Sequence, residues 1–126
     1  MGNWNLGSVA AEVLILVPSV PSTLSGAPTE RIADRQRLFM EQYTGQTIGS
    51  TGIAEQFQPA LLHLTCADVL SSMELEGVDA SNVRLGEFSI SKGTSSNISS
   101  AKLDFKKQGM EELDTLGRRV GYYQAL

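Results

Sequence analysis

The chain has one cysteine, one histidine and one tryptophan among its 126 residues, and aromatic residues make up only 6% of it. Because a disulfide needs two cysteines, Cys66 cannot form one within the chain. Cys66 and His63 together cannot supply the four ligands of a structural zinc site. We therefore expect neither a disulfide framework nor a Cys/His metal centre, and a reducing compartment suits the chain.

Long apolar runs and blocks of basic residues are also missing. The apolar run at 13–17 (VLILV) is far shorter than the roughly 20 residues of a transmembrane helix, and no Lys or Arg precedes it. It is interpreted as neither a signal peptide nor an anchor, and no membrane partner is expected. With 10 basic and 14 acidic residues the net charge is −4, which argues against tight binding to a nucleic-acid backbone.

What is present fits one domain of modest size. Hydrophobic residues make up 41% and charged residues 19% of the chain, both slightly below common values. Ser, Thr, Gly, Gln and Asn therefore carry much of the polar balance. This composition suits long loops or surfaces that other subunits cover.

The first half of the chain predicts two helices around a linker. Residues 8–17 have helical spacing with Ser8 as N-cap, although their β-branched residues leave a strand open. The Pro/Ser/Thr-rich stretch 18–28 is expected to be an extended linker that lets the first element sit apart. Residues 29–43 are a stronger helix, with Thr29 as cap and Gly45 as the stop.

The second half predicts a central helix, a small β element and a last helix. Residues 53–76 carry apolar side chains on nearly every face, and Pro59 means that this helix starts near Gln58 or is kinked there. Residues 83–92 alternate as a small β element whose phase slips at Gly86. Residues 100–120 are predicted to form an amphipathic helix capped by Ser100, with Asp104 in its first turn and basic residues in its last.

The predicted fold is therefore mainly α, an antiparallel bundle of three to four helices with a small β-strand or hairpin element before the C-terminal helix. We divide the chain into an N-terminal helix and linker (1–28), a helical domain (29–120) and a C-terminal arm (121–126). Gly109 and Gly117 each cost a helix interior about 1 kcal/mol relative to Ala. Close packing against another helix or another chain would explain both glycines.

Few residues are candidates for catalysis. His63 lies on the apolar central helix, about 140° from Asp68 around the helix axis, and is interpreted as a packed or boundary histidine. Cys66 has no cationic neighbour in sequence and is interpreted as a small core residue. Acidic neighbours one or two residues apart point in different directions and are interpreted as solvated charge. These are Glu74 with Glu76, and Glu111 with Glu112.

Two further patterns are weak. The Gly-rich stretch 45–52 lacks the lysine of a phosphate-binding loop and does not follow a predicted strand, so it is interpreted as a helix connection. The basic residues of the last helix alternate with acidic ones and predict an ordinary mixed surface; they are Lys102, Lys106, Lys107, Arg118 and Arg119. No catalytic residue, metal site or cofactor is predicted.

The C-terminus is the strongest indication of a partner. A glycine that ends the predicted helix is followed by two tyrosines and a leucine, which gain little from solvent and are expected to dock on another surface. The predicted docking residues are Gly121, Tyr122, Tyr123, Gln124, Ala125 and Leu126.

Four stretches and the order of the elements resemble the head-to-tail connector, or adaptor, proteins of tailed bacteriophages. The stretches are 39–45 (FMEQYTG), 67–74 (ADVLSSME), 85–93 (LGEFSISKG) and 108–117 (QGMEELDTLG). The resemblance covers about residues 29–126 and leaves the N-terminal segment uncovered.

The resemblance implies a structural virion protein that forms a ring, commonly a dodecamer, beneath the portal in the phage neck, after assembly in the host cytoplasm. Its C-terminal arm would bind the portal protein, its lower face a stopper or tail-completion protein, and its lumen would pass genomic DNA without sequence-specific contacts. A net acidic chain suits such a lumen. The residues expected at subunit interfaces are Phe88, Ile90, Lys92, Gly109 and Gly117.

The sequence leaves three functions open. The first is this connector, a structural protein without catalysis. The second is another small helical phage accessory protein, for tail completion or packaging, that forms no portal-bound ring. The third is a small enzyme, which is disfavoured because no nucleophile, base and orienting group can be named together.

Overall fold

The computed structural model describes residues 3–75 and 98–117. Within these ranges the chain is mainly helical, as predicted, with four α-helices and one isolated β-bridge between Trp4 and Ile53. The helices are α1 (Leu6–Leu16), α2 (Ala27–Thr44), α3 (Gln58–Leu75) and α4 (Ile98–Thr115). No helix in the described part is both long and apolar enough to span a bilayer. The predicted β element at 83–92 and the arm at 121–126 lie outside the described residues.

Helix α1 is a genuine helix, so the strand alternative for this segment is wrong. Its N-cap is Asn5, whose side chain accepts a hydrogen bond from the backbone N–H of Ser8. The Ser8 hydroxyl oxygen in turn accepts a hydrogen bond from the Asn5 backbone N–H, and the two bonds form a capping box. Ser8 is therefore the third residue of the helix, and its prediction as the N-cap was wrong. Val9 and Val13 are fully buried, which places α1 in the core.

The stretch between α1 and α2 is compact, and the prediction of an extended linker is wrong. Backbone hydrogen bonds close turns from Val20 to Val17 and from Leu24 to Pro21. Leu24 is buried, and the Thr29 hydroxyl donates to its carbonyl. Proline fixes φ but also favours turns, so a Pro-rich stretch need not be extended. As a result α1 packs against α2 and α3.

Helix α2 begins at Ala27, two residues earlier than predicted. Gly26 occupies the N-cap position without a side-chain bond, and Pro28 lies in the first turn, where its missing N–H costs nothing. Thr29 is therefore inside the helix, and its predicted capping role is wrong. Gly45 ends the helix in the left-handed conformation (φ 73°), as the sequence predicts.

The loop after α2 is held by side chains of α2. Glu41 Oε2 accepts a 2.6 Å hydrogen bond from the Ile48 N–H, and the Arg37 guanidinium donates to the Ile48 carbonyl over 2.7 Å. These bonds satisfy the backbone of a residue whose side chain is buried. The loop is thereby fixed against α2 before the chain enters a short 3-10 helix, Glu55–Phe57.

Helix α3 is the central helix that its apolar residues predict. It starts at Gln58 with Pro59 in its first turn, which decides between the two alternatives for Pro59. It packs against α1, α2 and α4. Its buried residues lie on most of its circumference and form the middle of the core; they are Gln58, Ala60, Leu61, Leu64, Thr65, Cys66, Ala67, Val69, Leu70 and Met73.

Helix α4 runs antiparallel to α3. Lys102 near its start pairs with Glu74 near the end of α3, and Glu112 near its end pairs with His63 near the start of α3. The helix begins at Ile98, so neither the Ser100 cap nor the placement of Asp104 in the first turn was correct. It ends at Thr115 rather than continuing to residue 120.

Candidate functional site

Most of the predicted interaction residues lie outside the described part of the chain. This holds for the whole C-terminal arm, residues 121–126, and for Phe88, Ile90 and Lys92. Gly109 and Gly117 are described, and the structure places them differently. The candidate surfaces in the described part of the chain are therefore those of the four helices.

Gly109 lies at the contact between α4 and α3 of the same chain. A Cβ built on it would stand 2.8 Å from Cγ and Cδ2 of Leu64, and 3.2 Å from the Leu64 backbone nitrogen. Of the two explanations offered by the sequence, close approach of another helix therefore accounts for this glycine. Its face toward α3 is already covered within the chain.

Gly117 lies beyond α4, so its interpretation as a mid-helix glycine is wrong. It has φ 109°, a conformation that side chains other than glycine rarely adopt. It is exposed, and a Cβ there would meet no heavy atom within 4 Å. Within the chain, the positive φ of a turn rather than close packing against another helix explains this glycine.

His63 is a boundary residue with a specific partner. Its Nδ1 lies 2.6 Å from Oε1 of Glu112, and its ring stacks on Phe105 with centroids 6.0 Å apart. The interpretation of Glu112 as solvated charge is therefore wrong. Asp68 faces α2 instead, where it accepts hydrogen bonds from Arg35 and Gln36. The histidine links α3 to α4, and the aspartate links α3 to α2.

Cys66 is completely buried, as its interpretation as a core residue requires. Burial raises the pKa of its thiol well above the ordinary range, because the thiolate would lose its hydration. The reactive form is thus scarce at neutral pH. Across residues 3–75 and 98–117, no three His, Cys, Asp or Glu side chains are grouped to hold a metal ion.

Two lysines of α4 contact side chains of neighbouring helices, which the sequence did not predict. Lys102 Nζ lies 2.7 Å from Oε1 of Glu74, so Glu74 is a paired charge as well. Lys106 Nζ lies over the Phe39 ring at 5.6 Å from its centroid. Lys107 and Glu111 are exposed, in keeping with a mixed surface.

A groove opens between α2 and α4 with α3 as its floor. Near the ends of α2 and α4 the Tyr43 hydroxyl donates to Asp114, which closes the groove there. Farther along, the groove is open to solvent and has a volume of about 330 Å³. It is lined by Gln36 of α2, by Leu64, Ala67, Asp68 and Ser71 of α3, and by Lys102, Leu103 and Lys106 of α4.

Helix α1 carries a second surface, the α1 stripe, made of Ala11, Leu14 and Ile15. These residues are spaced i, i+3 and i+4 and share one face. All three are exposed, Leu14 to 40% and Ile15 to 54%. The only charged residue of α1, Glu12, is half-buried. Both the inner and the outer faces of α1 are therefore apolar, which is typical of a helix covered on two sides.

No match to this chain was found among protein-family models, curated proteins or solved structures. The groove and the α1 stripe are thus interpreted from their own residues. The sequence contained a signal for the stripe, since only one of the 11 residues of α1 is charged. It contained none for the groove, which depends on how three helices meet.

Proposed function

We propose that this chain is a structural subunit of a ring-shaped adaptor between the portal and the tail or stopper of a tailed bacteriophage. In this role it extends the DNA channel below the portal, and genomic DNA passes through the lumen without sequence-specific binding. The proposed ring is a dodecamer located in the virion neck. Its partners are neighbouring copies, the portal protein and a stopper or tail-completion protein.

The α1 stripe is the observation that carries the assembly part of this proposal. An exposed helix face with Leu14 and Ile15 and no charged residue is unfavourable in water and favourable against another protein. A second copy of the chain is the proposed occupant, because a ring supplies every copy with the same neighbour. The stripe lies outside the part of the sequence that the resemblance covers, so it is independent support.

The phage part of the proposal rests on the resemblance of the four sequence stretches. It includes the finer fold, an antiparallel helical bundle with a small β element at 83–92 before α4. The net charge of −4 suits a lumen along which DNA slides, since a basic lining would bind the phosphates. The side chains with catalytic potential are used in packing or pairing, and no catalytic step is part of this proposal.

The decisive experiment is electron microscopy of this protein mixed with portal rings from the same genome. We expect added density around the narrow end of the portal with the full chain. Deletion of residues 121–126, or Tyr123→Ala, should remove that density while circular dichroism shows an unchanged helical fold. The substitution Gln124→Ala, in the same arm but without loss of an aromatic ring, is the matched control and should retain binding.

Two results would contradict the connector function and the role of the arm separately. Bare portal rings beside a folded full-length chain would contradict the connector function and favour an accessory protein that forms no portal-bound ring. Added density that persists after deletion of the arm would retain the connector and reject the portal-docking assignment of residues 121–126.

A charge placed in the α1 stripe should prevent ring formation without unfolding the chain. In Ile15→Asp the carboxylate stays hydrated in the free subunit but would be buried without a partner in the ring, at a cost of several kcal/mol per interface. We expect a folded chain with no ring density on portals. The control is Leu38→Asp on α2, where the leucine is similarly exposed at 46% but lies outside the stripe. Normal rings from Ile15→Asp would contradict this role.

A further inference from the structure

Helix α4 carries an exposed apolar surface on its outer side. Leu103 is 65% exposed. Lys107 and Met110 follow it at positions i+4 and i+7, so the three residues share one face of the helix. Lys107 is exposed and Met110 is half-buried. These three residues are called the Leu103 patch, which combines apolar surface with a positive charge.

The Leu103 patch and the α1 stripe lie on different sides of the subunit. Helix α1 packs against α2 and α3, whereas α4 packs mainly against α3 and makes no comparable contact with α1. Both surfaces face away from the core, because Val9 and Val13 on the other side of α1 are buried, as are Phe105 and Leu113 of α4. Two different surfaces that point in different directions can join copies head to tail and close a ring.

The surroundings of the α1 stripe carry an excess of negative charge. Glu12 of α1 borders the stripe. Glu30 of α2 lies at its N-terminal end, where its Oε2 is 3.7 Å from a Cβ built on Gly7. Arg31, the next residue of α2, lies on the same side of the subunit and offsets one of these two carboxylates.

The surroundings of the Leu103 patch carry the opposite charge. Lys107 belongs to the patch and Lys106, which is also exposed, borders it, whereas Asp104 supplies one negative charge. Glu111 and the other acidic residues of α4 come later, in the C-terminal half of the helix. The two surfaces therefore complement each other in charge, and both have an exposed apolar centre.

We propose that the α1 stripe of each copy packs against the Leu103 patch of the next copy, with Leu14 and Ile15 against Leu103 and with Glu12 facing Lys107. This inference rests on the proposed ring and names the two surfaces that form its subunit interface. Burial of the apolar side chains favours association, and the charges fix which surface meets which.

Disulfide cross-linking of portal-bound rings tests this pairing. The variant Ile15→Cys/Leu103→Cys is bound to portal rings and oxidised with copper phenanthroline. We expect a ladder of covalent oligomers on a non-reducing gel, because every head-to-tail interface then contains one cysteine from each copy. Cys66 is buried and should contribute nothing, as wild-type rings treated in the same way will show.

Two controls define the ladder. Leu38→Cys/Leu103→Cys places the first cysteine at a leucine of similar exposure, 46%, but outside the stripe, and should give no ladder. Ile15→Cys alone should give no covalent dimer, because the stripes of two copies do not meet in a head-to-tail ring.

Charge exchange provides a second measurement that needs no new cysteine. Ile15→Asp and Leu103→Lys should each reduce portal-bound ring density at least about tenfold, and the double variant should recover most of it, because every interface then pairs an aspartate with a lysine. Ile15→Asp combined with Leu38→Lys is the matched control and should not recover. An equimolar mixture of Ile15→Asp and Ile15→Lys chains should also stay unassembled.

Defined results overturn the inference. Covalent dimers from Ile15→Cys alone, or rings from the mixture of Ile15→Asp and Ile15→Lys, would place stripe against stripe. A missing ladder from Ile15→Cys/Leu103→Cys, or a double charge variant no better than the single ones, would separate the two surfaces. In each case wild-type density on portals would retain the connector function, whereas bare portals with the wild-type chain would contradict that function itself.

Discussion

Gly109→Ala should destabilise the folded chain by about 1–3 kcal/mol, even though alanine is the better helix former. In an exposed helix interior the same change would stabilise by about 1 kcal/mol. At this position the new Cβ would stand 2.8 Å from two side-chain carbons of Leu64, which is itself only 1% exposed. The 3.2 Å approach to the Leu64 backbone nitrogen means that rotation of the leucine alone cannot relieve the contact. Urea denaturation followed by circular dichroism measures the change.

Two control variants isolate this contact. Gln108→Ala, at an exposed position of the same helix, should change the free energy of unfolding by less than about 0.5 kcal/mol. In the Leu64→Ala background, Gly109→Ala should be less costly, because the two leucine carbons at 2.8 Å are gone and only the 3.2 Å approach to the backbone nitrogen remains. A Gly109→Ala variant as stable as wild type would show that α3 and α4 can separate without cost.

Phe105→Ala should cost about 3–5 kcal/mol, the largest loss expected from a single substitution in α4. Phe105 is fully buried and stacks on His63, so its removal leaves a cavity between the two helices and deprives the histidine of its packing surface. A domain of this size commonly has only 5–15 kcal/mol of stability. The variant is therefore expected to lower the melting temperature by more than 10 °C.

Leu103→Ala is the matched control for Phe105→Ala. It removes a large apolar side chain two residues away on the same helix, but 65% of Leu103 is exposed. The free subunit should lose less than about 0.5 kcal/mol. Similar losses from both variants would mean that Leu103 is buried in the free subunit, in conflict with the open groove.

The sequence predicted the helices whose signals are local. Gly45 ends α2 because a left-handed residue is needed there, and Pro59 fixes the start of α3 because it lacks an N–H. The start of α1 was missed because Asn5 and Ser8 compete as caps in sequence, and only their reciprocal bonding decides between them. The end of α4 was missed because a glycine can occupy a helix interior or terminate it.

Contacts between helices were much less predictable. The pairing of His63 with Glu112 joins residues 49 positions apart, and no periodicity of either helix reports the partner. The same holds for the groove, whose walls come from three helices. Spacing along one helix predicts which residues share a face, and the partner of that face is decided only by tertiary packing.

Two hydrogen bonds at the end of α4 decide where a force on the following chain would act first. Tyr43 holds Asp114, and Gln46 Nε2 donates to the Leu116 carbonyl over 2.8 Å, so the last residues before Gly117 are clamped to α2 and the loop that follows it. A force applied to the chain beyond Gly117 would therefore act first on these two hydrogen bonds, one to α2 and one to the loop after it, before it reached the contact between α4 and α3.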